Sequence, residues 1–149
     1  MEVLLFELSG DRYGLWLSCV GEVARAVHPL PLPGAPPVVL GVIQLRGQVV
    51  PVFDVRSRFG KPSRDALASD CLIIARVRKR LVALAVDKVT GIIDVAEAQL
   101  DDGRYLPRNL DGVAGVAALE DGLVLIHELG GFLSQAEEAQ VAAALAEPA

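Results

Sequence analysis

"GVIQLRGQVVPVFDVRSRFG", residues 41–60, decides the reading of this chain. It is mostly apolar and rich in β-branched residues, yet Arg46 interrupts it directly before Gly47. Two strand-forming arms, 40–46 and 48–53, joined at Arg46-Gly47-Gln48, predict a β-hairpin. Side chains alternate faces along a strand, so Ile43 and Leu45 point one way, into a core, and Val42, Gln44 and Arg46 point the other. That second set mixes apolar and polar residues, which is the character of an interface or groove wall. The planar five-donor fork of Arg46 suits a carboxylate at short range. Gly47 permits a positive φ at the turn, and Pro51 predicts an edge or a bulge. From pattern alone, an exposed hairpin arginine serving solubility explains Arg46 equally well. "DVRSRFG", 54–60, reads as one helical turn, started by Asp54 and ended by Gly60.

Outward from this stretch the pattern stays β-rich. Residues 3–20 form two apolar arms around Gly10-Asp11-Arg12, a second hairpin. Residues 21–27 are compatible with a short helical turn or an extended piece. "HPLPLPGAPP", 28–37, holds five prolines in ten residues and must be an extended loop. "CLIIARV" and "LVALAV" flank Arg78-Lys79-Arg80 as a further hairpin, followed by the strand "VTGIIDV". A turn-rich segment, 96–112, leads to "VAGVAAL" and "LVLIHEL" around Glu120-Asp121-Gly122. The Ala-rich stretch from Ser134 onward reads as a helix with Ser134 as its start. Nine or ten short strands with frequent turns predict an all-β sandwich or barrel rather than βαβ units. No internal repeat stands out in the sequence.

Composition narrows the function classes. A chain of 149 residues suits one domain or two small lobes sharing a core, and needs neither disulfide nor metal to fold. With 52% hydrophobic residues but few aromatics, the core must be built from Val, Leu, Ile and Ala. The net charge of −5 argues against a nucleic-acid partner. Cys19 and Cys71 form no CxxC and read as buried thiols in a reducing compartment. The N-terminus lacks the basic region of a signal peptide, and no apolar run approaches the roughly 20 residues of a membrane span. The expectation is a cytoplasmic protein with no direct membrane insertion.

Catalytic and metal-binding patterns are missing from the sequence. His28 and His127 have no ligand partners at metal spacing and read as surface or structural residues. "LDDGRYL", 100–106, lacks the Glu that an EF-hand needs six residues after its glycine; Asn109 stands there. The basic clusters Arg76/Arg78/Lys79/Arg80 and Arg56/Arg58/Lys61/Arg64 are not interleaved with aromatics. They read as a solvated hairpin tip and a solvated helix face, with docking to an acidic protein as the alternative. No cofactor is expected, and a binding module fits better than an enzyme.

Residues 41–60 resemble the signature of CheW-like domains, which reads close to GVxNLRGxxxPVxDLRxxF. "LLFELSGDRYGLWLSCVGEV", "LVALAVDKVTGII" and "LDGVAGVAALEDGLVLIHELGGFL" resemble the same family's other segments, so the likeness covers residues 2–133. It implies one CheW-like domain over 1–134, built as two intertwined SH3-like five-stranded β-barrels around a shared hydrophobic core. Short helices and a C-terminal Ala-rich helix and tail, 135–149, complete that all-β fold. It further implies a non-catalytic adaptor that couples the cytoplasmic tip of a methyl-accepting chemoreceptor to the regulatory domain of a CheA-type histidine kinase. Other CheW-like domains are further partners of this kind, and recruitment is to membrane-associated arrays. By position, the family's partner-sensitive sites fall at Val20, Glu22, Gly41, Arg46 and Ile92. The resemblance pairs Arg46 with Glu22 and makes Val20, Val42 and Ile92 lining of a groove for a receptor helix. Gln44 replaces the family's Asn beside that groove, and the 101–110 segment is short. The short segment motivates an alternative reading, an accessory that binds receptor or other CheW-like domains without docking the kinase. A small enzyme or ligand-binding barrel is the remaining class, which an enclosed polar pocket with convergent His or carboxylate groups would support.

Overall fold

The computed structural model describes residues 1–25, 27–62, 69–77, 80–101, 113–131 and 135–146. Among them are eleven strands: β1 (Glu2–Leu8), β2 (Asp11–Trp16), β3 (Val20–Arg25), β4 (Val39–Leu45), β5 (Gln48–Asp54), β6 (Cys71–Val77), β7 (Arg80–Val86), β8 (Lys88–Asp94), β9 (Leu100–Asp101), β10 (Val113–Leu119) and β11 (Gly122–His127). The described residues also include one α-helix, α1 (Gln135–Ala146), and four short 3₁₀ turns. The segment left open between helix and extended chain, 21–27, is the strand β3 up to Arg25. The stretch 102–112, Arg64, the Arg78-Lys79 tip and Ser134 lie outside the described residues.

The strands form two sheets, ordered β8-β1-β2-β11-β10-β9 and β3-β6-β7-β5-β4. Both faces of each sheet are buried at the centre. In the first sheet, Val3, Leu5, Val124 and Ile126 pack into one cluster with Ala117 and Val95. The alternating set Leu4, Phe6, Leu8, Tyr13 and Leu15 faces the other way. In the second sheet, Ile43, Val50, Val52, Leu72, Ile74 and Ala83 share an interior. The alternating set Phe53, Ile73, Ala75, Val82 and Leu84 joins Leu4, Phe6 and Tyr13 in one common cluster. Two SH3-like barrels, each with its own interior, thus share a third core between them. This explains why "CLIIARV" and "LVALAV" are apolar almost throughout: a strand covered on both faces has no solvent side to mark with polar residues.

The barrels repeat one strand arrangement that the sequence does not display. Each begins with a hairpin followed by a 3₁₀ turn: β1–β2 with 17–19, and β4–β5 with 56–59. In each, the second strand of that hairpin runs parallel to one arm of a second hairpin, β2 to β11 and β5 to β7. The fifth strands are exchanged. β3 leaves the first hairpin to pair with β6 of the other sheet, and β8 returns from the second sheet to pair with β1.

Pro51 departs from expectation. β5 is not an edge but lies between β4 and β7. Val42, opposite Pro51, spends its own N–H and C=O on Leu30, so Pro51 sits in a non-hydrogen-bonded pair with β4. Its nitrogen faces the β7 side, where pairing begins only at Val52. The missing donor therefore breaks no ladder bond.

Cys19 and Cys71 are free thiols, as expected, but half-buried against the shared core rather than fully enclosed. No helix among the described residues is long and apolar enough to cross a membrane.

Candidate functional site

The β4–β5 hairpin closes with a two-residue turn, Arg46 at φ 51° and Gly47 at φ 79°. Positive φ at both positions is what a type I′ turn requires, and its twist matches the flanking strands. Arg46 is thus the first turn residue, not the last strand residue that the alternation implied. It holds a left-handed backbone conformation that costs a non-glycine residue about 1–2 kcal/mol. The rest of the alternation holds: Ile43 is buried, Leu45 packs partly into the second barrel, and Gln44 is exposed opposite Val49.

Arg46 Nη2 lies 3.0 Å from Glu22 Oε1. Glu22 belongs to β3, and β3 and β4 are the two edges of the five-stranded sheet. The ion pair therefore clasps the seam where the second barrel closes without a hydrogen-bonded ladder. Arg46 is 78% exposed and Glu22 32%, so most of the guanidinium fork faces outward. In the first barrel the other positive-φ turn also meets a carboxylate, though beside the paired strands β1 and β8 rather than at an open seam: Ser9, its first residue, donates its N–H to Asp87 at 2.7 Å, just before β8.

Gly41 has a different basis. The Pro-rich loop crosses β4 here, with Leu30 and Val42 exchanging two backbone hydrogen bonds of 2.8 Å. A Cβ on Gly41 would stand 2.3 Å from the Leu30 carbonyl oxygen, and the residue's φ is +153°. Val42, beside it, is half-buried. Val20 opens β3 two residues before Glu22 and packs partly on the shared core. Ile92 sits on β8 of the other barrel, opposite Leu4, and is 53% exposed, so it is not core. Through that register Ile92 shares the face of Leu4, which looks into the space between the barrels. The geometry thus joins Glu22 to Arg46 directly, sets Val42, Gln44 and Gly41 on the same hairpin, and places Ile92 across the inter-barrel boundary.

Of the two basic clusters, the one at 56–64 is not simply solvated among its described residues, whereas Arg76 of the other is exposed. Arg56 is 2% exposed. Its guanidinium reaches Asp54 at 3.4 Å and also pairs with Asp87, while its backbone N–H donates to Asp54 at 3.0 Å. Arg58 pairs with Glu137 of α1, and Lys61 with Asp11. Gly60, at φ 69°, ends the 3₁₀ turn as expected, with Lys61 N–H donating to Arg56 O at 2.9 Å. This cluster stitches elements together instead of forming a free cationic face. The Asp-x-Arg spacing at 54–56 carried that signal in the sequence; the distant Asp87 did not.

A cleft of about 260 Å³ opens between the barrels beside the first 3₁₀ turn, lined by Trp16, Cys19, Arg76, Val77, His127 and Leu129 among others. His127 is 3% exposed, with its ring edge-on to Phe59 at 5.0 Å, and burial pushes its pKa down to about 4. It is a neutral structural residue at neutral pH. None of the seven sequence candidates lines this cleft. No cluster of potential metal ligands occurs among the described residues.

The profile of the CheW-like domain matches residues 2–137. The chain belongs to the CheW-like family. This CheW-like domain is 30% identical to the chemotaxis protein CheW of Rhizobium meliloti over 141 residues, covering 93% of this chain and 91% of that protein. It is 28% identical to the probable chemotaxis protein CheW of Rhizobium etli over 138 residues, covering 91% and 89%. Among solved structures it resembles the scaffolding protein TtCheW of Thermoanaerobacter tengcongensis, with a TM-score of 0.83 and 27% identity over 91% of this chain and 94% of that one. The pair of SH3-like subdomains expected from the resemblance is the fold observed.

Proposed function

We propose that this protein is a chemotaxis adaptor that couples the cytoplasmic tip of a methyl-accepting chemoreceptor to the regulatory domain of a CheA-type histidine kinase. It works in the cytoplasm, recruited to membrane-associated arrays, without catalysing a reaction. The observation that carries the reading is the Glu22–Arg46 pair at the barrel seam, its guanidinium largely open to solvent. Half-buried Val20 and Val42 lie on the same barrel, and exposed Ile92 lies on the neighbouring one. Half-buried and exposed apolar residues on both barrels, together with one forked cation, suit a helix carrying apolar anchors beside a carboxylate. Signal passes only if such contacts differ between kinase states, since equal contacts shift no equilibrium.

The test is capture of the cognate receptor tip and the kinase regulatory domain on the full chain, wild type and Arg46→Ala. Wild type captures both. Arg46→Ala loses at least tenfold in binding while its thermal midpoint moves little, because an exposed pair contributes about 0–1 kcal/mol. Receptor capture without kinase capture would replace the coupling role by the accessory one.

A further inference from the structure

The start of β11, beside its turn with β10, carries Leu123, at 72% the most exposed large apolar side chain among the described residues. Arg12 holds the neighbouring Asp121 by two hydrogen bonds, 3.0 and 2.9 Å, so the tip is set in place before any partner arrives. Glu120, exposed at the same turn, has no ion-pair partner among the described residues. The inter-barrel cleft offers the converse. Its apolar walls include Trp16, Val77 and Leu129, and its lining includes Arg76, exposed and equally without an ion-pair partner among the described residues. At about 260 Å³ it falls below the roughly 300–1,000 Å³ of small-molecule sites, yet exceeds the roughly 150 Å³ that holds benzene. It therefore suits one side chain of leucine size. A chain cannot fill its own cleft this way. Leu123 stands near one end of β11 and His127, in the cleft lining, at the other, and the strand between keeps them about 13 Å apart.

We propose that the cleft receives Leu123 of a second copy of this chain, with Arg76 meeting the Glu120 carboxylate that accompanies it. The apolar anchor supplies the burial, and the charge pair sets its orientation. Knob and cleft are unlike surfaces near opposite ends of one strand, so the contact is heterologous: a copy that has given its knob still offers its cleft to another. Glu128, exposed in the same lining, opposes the incoming carboxylate and keeps the association weak and concentration-dependent. The contact uses no residue of the Glu22–Arg46 seam, and it stands or falls apart from the adaptor role.

The test is analytical sedimentation of the full chain from about 10 μM to 1 mM, a range that spans weak association. The wild type gains mass with concentration, and its one tryptophan, Trp16, changes emission in parallel as the cleft fills. Leu123→Asp and Arg76→Glu each weaken association at least tenfold with unchanged thermal midpoints, since both side chains are exposed. Glu120→Arg added to the Arg76→Glu chain restores it. Mixing the two defective chains separates this contact from any other. The Leu123→Asp chain still offers a cleft and the Arg76→Glu chain still offers a knob, so the mixture assembles and stops at two chains. A wild type that stays monomeric throughout, association that survives both substitutions, or a mixture that does not assemble overturns the proposal.

Discussion

Gly41 owes its identity to Leu30. The Pro-rich loop lies so close over β4 that a methyl group at position 41 would meet the Leu30 carbonyl at 2.3 Å. Gly47, in the turn of the same hairpin, has nothing within 4 Å of its would-be Cβ, and only its φ of +79° resists substitution. The two glycines therefore separate steric from conformational demand. Gly41→Ala should cost roughly 2–4 kcal/mol, the sum of backbone strain and forced displacement of the loop. Gly47→Ala should cost about 1 kcal/mol. Urea unfolding of both variants measures the difference; equal losses would show that the loop yields freely. A family signature residue thus acts here through loop placement. Nothing in the structure explains why residue 44 is Gln in place of Asn.

At the scale of elements, the two leading hairpins follow one plan. Each turns through two residues at positive φ, and each first turn residue is tied to a carboxylate next to or within a fifth strand: Ser9 to Asp87, Arg46 to Glu22. Asp87 carries more than its counterpart. Its N–H donates to Glu7 O at 3.0 Å, one carboxylate oxygen accepts from Ser9, and the other pairs with Arg56 of the opposite barrel. It is an inter-barrel pin at the point where the chain crosses from β7 to β8. Arg56 is almost fully buried, while Asp87 is 27% exposed. Removing the Asp87 carboxylate leaves the buried guanidinium with Asp54 alone of these two acids, at 3.4 Å; removing the guanidinium leaves Asp87, which water can reach, and Asp54, which still accepts the backbone N–H of residue 56. Asp87→Asn should therefore lose about 3–5 kcal/mol in denaturant unfolding, and Arg56→Met distinctly less. The reverse order would mean that Asp54 alone satisfies Arg56.

For the whole molecule, the shared core makes the barrels one cooperative body, and His127 gives that body an acid limit. Burial lowers its pKa to about 4 from 6.5. An unfolded chain takes up the proton below about 6.5, whereas the folded chain resists until about 4. Stability is thus fully present above about pH 6.5 and falls as the pH drops through this window. The loss approaches about 3 kcal/mol at roughly 1.36 kcal/mol per pKa unit. Asp94 and Asp121, held below the usual carboxylate range by the N-terminal ammonium and by Arg12, act in a lower window. Unfolding free energy measured between pH 7 and 4 should fall in the wild type and flatten in His127→Leu. An unchanged slope in that variant would assign it to other groups.

Much of this was legible in the sequence. Strand-forming runs, turn residues and the arginine before Gly47 specify hairpins because they act locally, through φ preferences and side-chain alternation. The 3₁₀ turn Arg56–Phe59, flanked by Asp54 and Gly60, was readable for the same reason. The signature at 41–60 identified the family and with it the paired barrels. Other features depend on partners distant in the chain. Alternation cannot say that both faces of β6 and β7 are covered, because a doubly buried strand carries no period. The exchange of β3 and β8 between sheets, the crossing of Leu30 over Gly41, and the burial of Arg56 against Asp87 arise only when two barrels close on each other. Local sequence determined the elements and their turns; tertiary packing decided which charges became clasps and which remained open to a partner.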